Sequence, residues 1–241
     1  MATFVLVSGG HIYRDGKANL FGGAWNWREV EFLLREAGHQ IFVPTLTGMG
    51  EKAHLVSPDI NLNTHIQDVM GVIECEELQD VILVGWSFSG LTITGVAGKA
   101  ADRLAHLVYL DALVPFDGER AVDLIPNRVA DWEQNGMGAK TLHQPVFGFQ
   151  AASSLSPTYI YCTDKPNLAS VETYLALRKS ADRAKDAGWR YREILATHGG
   201  SPLGPRRLKR VTGSSTYEKN PNALNDTVEL LLEAATARTK S

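Results

Sequence analysis

Cysteine is scarce in this sequence. Cys75 and Cys162 are the only two, too few for a disulfide framework and without the spacing of a metal site. Free thiols in a reducing cytoplasm are the expectation. Surplus charge is lacking too: 24 Lys and Arg stand against 27 Asp and Glu, for a net charge of −3. That balance is wrong for a dedicated nucleic-acid binder. No apolar run approaches the roughly 18–20 residues that span a bilayer. The opening Met-Ala-Thr-Phe-Val-Leu-Val-Ser-Gly-Gly has no basic leader, and its apolar stretch is shorter than a signal peptide requires, so it reads as a first strand. Internal repeats and low-complexity segments are absent as well. What is present is ordinary globular material, 44% hydrophobic and 21% charged over 241 residues. That length suits a single α/β domain spanning 1–241.

The pattern alternates strand and helix along most of the chain. Thr3 to Val7 is a short β-rich run ending in Gly9-Gly10. Trp27, Val30, Leu33 and Leu34 share a helical face, with Gly38 as the C-terminal stop. Ile41-Phe42-Val43 is the next strand, and Ile66, Val69, Val72 and Ile73 mark another amphipathic helix. Val81-Ile82-Leu83-Val84 is apolar throughout, as expected of a strand covered on both faces of a parallel sheet. A glycine-rich helix near 89–99 and a strand at 107–110 follow. Residues 112–157 break the rhythm. It resumes with a strand at 158–162, a helix near 170–184, a strand near 191–195 and a last helix over about 222–236. This order predicts an α/β fold, a mostly parallel sheet flanked by helices on both faces.

The sharpest chemical signal is Val84-Gly85-Trp86-Ser87-Phe88-Ser89-Gly90. An apolar strand runs into Gly-x-Ser-x-small-Gly and straight on into a helix. That is the pattern of a nucleophile elbow, a strained strand-to-helix turn that presents a serine hydroxyl at the carboxyl edge of a sheet. Small residues are needed two before and two after the serine; Gly85 fits, and Ser89 stands in for the usual glycine. A bare Gly-x-Ser carries no information, since chance supplies it in a chain this size. The flanking strand and helix give the motif its weight.

A serine hydroxyl needs a base, and the base an orienting acid. Chains built around such an elbow carry them in the order Ser, then Asp or Glu, then His. Asp164 follows the strand ending at Cys162, and His198 follows the strand ending at Leu195, so these two are assigned the roles. Asp111, just after the strand ending at Leu110, is the rival acid; its alternative reading is a structural hydrogen-bond acceptor. Among the other histidines His11 is the rival base, placed in the glycine-rich loop after the first strand, and it is read as a pocket residue. An oxyanion needs two donors. The backbone N–H groups of Phe88 and Gly10 are the candidates.

At this point the sequence resembles α/β-hydrolases of the plant methylesterase and hydroxynitrile lyase type, with their bacterial esterase relatives. The resemblance is carried by Pro44-Thr45-Leu46-Thr47-Gly48-Met49-Gly50-Glu51-Lys52-Ala53-His54-Leu55, by Asn63-Thr64-His65-Ile66-Gln67-Asp68-Val69, by Leu107-Val108-Tyr109-Leu110-Asp111-Ala112 and by Tyr161-Cys162-Thr163-Asp164-Lys165. It is closest over residues 40–120. It implies an α/β-hydrolase fold, no cofactor, and a Ser87–Asp164–His198 triad. The chain departs from the family in four places. Ser8-Gly9-Gly10 replaces the usual His-Gly-small, and residues 12–23 look inserted. The cap, about 115–157, looks short. Gly199 stands where family lyases carry a lysine, which argues against cyanohydrin cleavage.

From 183 to 219 nine basic residues outnumber three acidic ones. The plain reading is a solvated surface; the sharper one is a landing site for an anionic substrate or an acidic carrier protein, with Arg206 and Arg207 meeting the anionic part. Tyr13, Trp86 and Trp132 join His11 as candidate pocket residues, and the 12–23 and 199–219 segments are expected to border the site mouth. The expected activity is serine hydrolysis of an ester, thioester or lactone in the cytoplasm, with a small-molecule substrate and neither nucleic acid nor membrane as partner. The alternatives are an elimination or cyclisation enzyme on the same fold, and a silent ligand-binding protein.

Overall fold

A computed structural model of the chain describes residues 1–9, 12–14, 17–20, 22–126, 139–164, 171–198 and 220–236. Six strands form one sheet: β1 (Thr3–Val7), β4 (Gln40–Phe42), β5 (Val81–Trp86), β6 (Leu104–Leu110), β7 (Thr158–Asp164) and β8 (Arg190–Thr197). Their order across the sheet is β4-β1-β5-β6-β7-β8, and every pairing is parallel. Two further strands, β2 (Ile12–Arg14) and β3 (Lys17–Leu20), pair antiparallel in a separate ribbon. The inserted segment behind β1 is therefore a hairpin, which hydrophobic periodicity did not announce.

Period-two alternation sends the strand residues to two cores. Val5, Val7, Leu83, Leu107, Tyr109, Tyr159 and Tyr161 face one layer. There they meet α2 (Leu62–Cys75), α3 (Ser89–Ala100) and α7 (Val171–Asp186). Phe4, Leu6, Ile82, Val84, Trp86, Val108, Leu110, Ile160 and Cys162 face the other. That layer is closed by α1 (Arg28–Glu36) and α8 (Ala223–Thr236). All six residues of β5 are buried, as a central strand covered on both sides requires. Among the described residues three short helices, α4 (Ala121–Leu124), α5 (Ala139–His143) and α6 (Phe149–Ser154), lie between β6 and β7.

Local chemistry fixes the element ends. The carboxamide oxygen of Asn61 accepts the N–H of Thr64, whose hydroxyl in turn accepts the N–H of Asn61, a reciprocal cap on α2. One turn on, the Asp68 carboxylate accepts both the N–H of Thr47 at 2.6 Å and its hydroxyl at 2.7 Å, tying the loop after β4 to α2. Arg183 of α7 is buried under the loop after β6. It donates to the carbonyl of Val114 and to both carboxylate oxygens of Glu119, with its guanidinium 4.1 Å from the centre of the Phe116 ring. Burial pushes the Glu119 carboxyl up, but the hydrogen bonds from Arg183 and the Phe116 N–H, with the Arg183 charge, outweigh it and leave it below the usual value.

Candidate active site

The turn from β5 into α3 places Ser87 at φ 61°, the left-handed region that costs a non-glycine residue about 1–2 kcal/mol. Neighbouring backbone holds it there. The Ser87 N–H donates to the carbonyl of Leu110, and the Ser87 carbonyl accepts from Leu113 at 3.0 Å. A methyl group at Gly85 would sit 2.8 Å from the Ile93 side chain, and one at Gly90 would lie 1.9 Å from the Leu113 carbonyl oxygen. Strand, helix and the loop after β6 thus converge too closely for side chains at either position. Ser89 is tolerated because its hydroxyl is absorbed: it lies 2.9 Å from the carbonyls of both Val7 and Trp86.

The Ser87 hydroxyl lies 3.0 Å from Nε2 of His198, immediately beyond β8. Nδ1 of the same ring lies 2.7 Å from Oδ2 of Asp111, which is fully buried. The tautomer that satisfies both contacts carries its proton on Nδ1 and donates it to Asp111, leaving Nε2 to accept from Ser87. The other oxygen of Asp111 accepts the N–H of Cys162 at 3.3 Å. Asp111 is itself at φ 42°. The Tyr159 hydroxyl, 2.9 Å from the Ala112 carbonyl, braces that turn from below. Burial, with the Asp111 charge behind it, pushes the Tyr159 phenol well up, so it stays protonated as the donor.

The structure sets Asp111, and not the expected Asp164, against His198. Both nitrogens of His198 are engaged by Ser87 and Asp111, and Asp164 is not among its partners. Asp164 ends β7 with its backbone in register with Thr197. The reason is topological. β6 lies directly beside β5, so an acid at its end is next to the elbow, whereas β7 is one strand further away. The sequence carries a signal for Asp111, an acid directly after a wholly apolar strand, but Asp164 carries the same signal and chain order fits both.

The other candidates divide. Trp86 is only 3% exposed, and its ring packs on His198 with centroids 5.5 Å apart, rather than lining an open pocket. The Phe88 side chain is buried in the core. Its backbone nitrogen faces the loop after β1, because a methyl group at Gly9 would lie 3.0 Å from it and 2.4 Å from the Trp86 carbonyl oxygen. Ser8, where the resemblance predicts histidine, turns its hydroxyl to the Gly23 carbonyl at 2.8 Å and accepts from the Asn26 amide. Tyr13 belongs to β2. Gly10, His11, Trp132, Arg206 and Arg207 lie outside the described residues. Among the described residues no helix is long and apolar enough to cross a membrane.

An all-parallel sheet with a strained serine at its central strand and a histidine and buried aspartate in line defines the architecture of an α/β-hydrolase. The chain belongs to that family: the model of the alpha/beta hydrolase family matches residues 4–232. A carbendazim hydrolyzing esterase of a Nocardioides species is 48% identical over 126 residues, 52% of this chain and 48% of that protein. An alpha-hydroxynitrile lyase of Arabidopsis thaliana is 29% identical over 98 residues, 40% of this chain and 38% of that one. The chain thus spans about half or less of the curated relatives it matches. Among solved structures, an extracellular alpha/beta-hydrolase of a Paenibacillus species shares the fold with a TM-score of 0.67 at 20% identity, covering 97% of this chain and 99% of that one. A methylesterase of Arabidopsis aligns with a TM-score of 0.60 at 20% identity, over 98% of this chain and all of that one.

Proposed function

We propose that the protein is a serine esterase that cleaves its substrate through an acyl-enzyme. The observation that carries this reading is the unbroken line from Ser87 through His198 to Asp111, at 3.0 and 2.7 Å. Ser87 attacks the acyl carbonyl while His198 Nε2 takes its proton. The resulting imidazolium is stabilised by the buried Asp111 carboxylate. The N–H groups of Phe88 and Gly10 hold the oxyanion. His198 then returns the proton to the departing alcohol, thiol or ring oxygen, and water repeats the sequence to release the acid.

The 48% identical relative is a carbendazim hydrolyzing esterase, so carbendazim belongs in the first substrate panel, beside simple aryl esters, thioesters and lactones. The identity covers half of each chain, which supports the reaction class more firmly than the substrate. Arg206 and Arg207 remain the proposed contacts for an anionic substrate; their joint replacement by alanine is expected to raise KM for a carboxylate-bearing ester alone. A fluorophosphonate probe should label Ser87 in the intact protein and leave Ser87→Ala unlabelled. Failure to label the intact protein, together with no ester turnover, overturns the proposal. Product formed in heavy-oxygen water separates hydrolysis, which incorporates solvent oxygen into the acid, from elimination or cyclisation.

A further inference from the structure

The residue before the nucleophile packs its ring against the base. Trp86 and His198 pack as a tilted ring pair with centroids 5.5 Å apart and planes inclined by 30°, and the indole is held in place by burial, at 3% exposed, within the core layer that includes Leu110 and Cys162. Resting on the serine esterase reading above, we propose that Trp86 is a positioning residue that acts through His198, its indole face stabilising the imidazolium that forms when Ser87 gives up its proton. A neutral imidazole gains little from an indole face. A positive one is attracted by the ring quadrupole, which acts within about 6 Å and is strongest for tryptophan. The contact therefore strengthens as charge develops, which is the property that lowers a barrier rather than merely binding a ground state.

Among the described residues the charged group against the ring is Asp111, at the end of β6; from β7, Asp164 stands opposite Thr197, the residue before His198. From β5 come the Ser87 hydroxyl and the indole itself. Asp111 engages the ring at Nδ1, while the indole meets it ring to ring, with centroids 5.5 Å apart and planes inclined by 30°. The two supports are therefore geometrically separate, and removing one leaves the other.

The test replaces Trp86 by tryptophans carrying one to four fluorines, introduced at that position alone, beside Trp86→Phe and Trp86→Leu. Fluorine drains the quadrupole with little change of shape. If the proposal holds, log kcat falls steadily with fluorine number, KM stays within about twofold, and the acid limb of kcat/KM moves to lower pH in the same order. Trp86→Leu should lose about 5- to 30-fold in kcat. A flat fluorine series with an unmoved acid limb overturns it, even if Trp86→Leu is slow or unstable. Phosphonate labelling of Ser87 in the unsubstituted protein keeps the two questions apart: labelling with a flat series rejects the tryptophan's role alone, whereas no labelling and no ester turnover reject the esterase reading and this inference with it.

Discussion

Replacing Asp111 by asparagine changes one atom, and the hydrogen bonds around it dictate the consequence. One carboxylate oxygen accepts the Cys162 N–H and the other accepts from His198 Nδ1. In Asp111→Asn the amide oxygen stays on the Cys162 donor, which leaves the NH2 group facing His198. Nδ1 must then accept, the ring proton moves to Nε2, and the nitrogen beside Ser87 becomes a donor. It can no longer take the serine proton, and an imidazolium formed there has a dipole of the wrong sign beside it. Loss of the correct tautomer in a Ser-His-Asp arrangement is worth about 10⁴-fold in kcat, or about 5 kcal/mol of barrier. Asp164→Asn, by contrast, should stay within about threefold. The assay is kcat and KM on an aryl ester for both variants, with thermal melting to confirm that each is folded. If Asp164→Asn costs more than 100-fold while Asp111→Asn costs less than tenfold, the assignment read from the hydrogen bonds is wrong.

Gly9→Ala is expected to lower kcat by at least about 100-fold without unfolding the protein, because its methyl would lie 2.4 Å from the Trp86 carbonyl oxygen and must push the loop away from Phe88; normal kinetics would contradict that packing. His106 is buried against Thr158, and burial, helped by the Arg190 charge, brings its pKa down from 6.5 to about 4. The unfolded chain therefore binds the extra proton first, and stability falls as pH drops from 6.5 to about 4, by about 3 kcal/mol at ~1.4 kcal/mol per pH unit. Denaturant titrations across that range should show a correspondingly flatter curve for His106→Gln. Arg183→Met should cost roughly 2 kcal/mol in the same titration, since it strands a partly exposed Glu119 carboxylate and the Val114 carbonyl.

Much of the fold was legible because the strands are apolar, short and separated by amphipathic helices. The run from Val81 to Val84 and the helical spacing of Ile66, Val69 and Ile73 announce a covered central strand and a helix against it. The elbow was legible for a local reason: strand, Gly-x-Ser and helix are contiguous. The acid was not, because Asp111 and Asp164 both follow apolar strands and only the sheet order shows which strand adjoins β5. The hairpin Ile12–Arg14 and Lys17–Leu20 was hidden too. Its strands are three and four residues long, too short for period-two alternation to register. The exchange of glycine for serine at position 89 looked like a departure in sequence. In space it is a repair, since the added hydroxyl meets two carbonyls.

The turn that carries Asp111 is stitched to the elbow from both sides, by Ser87 N–H to Leu110 and by Leu113 N–H to Ser87. Nucleophile and acid therefore travel together as one cassette, residues 81–113, and the chain between β6 and β7 leaves directly from its edge. For recombination this sets a seam. A homologous segment grafted between Leu113 and the start of β7 leaves Ser87, Asp111 and His198 with their hydrogen bonds, and substrate range can be sampled there. A junction at Leu110, the apparent end of the strand, would exchange the acid along with the cover. In this chain the stretch that can be exchanged without touching the Ser87–His198–Asp111 line runs from residue 114 to the start of β7, since Tyr159, Cys162 and His198 lie beyond it.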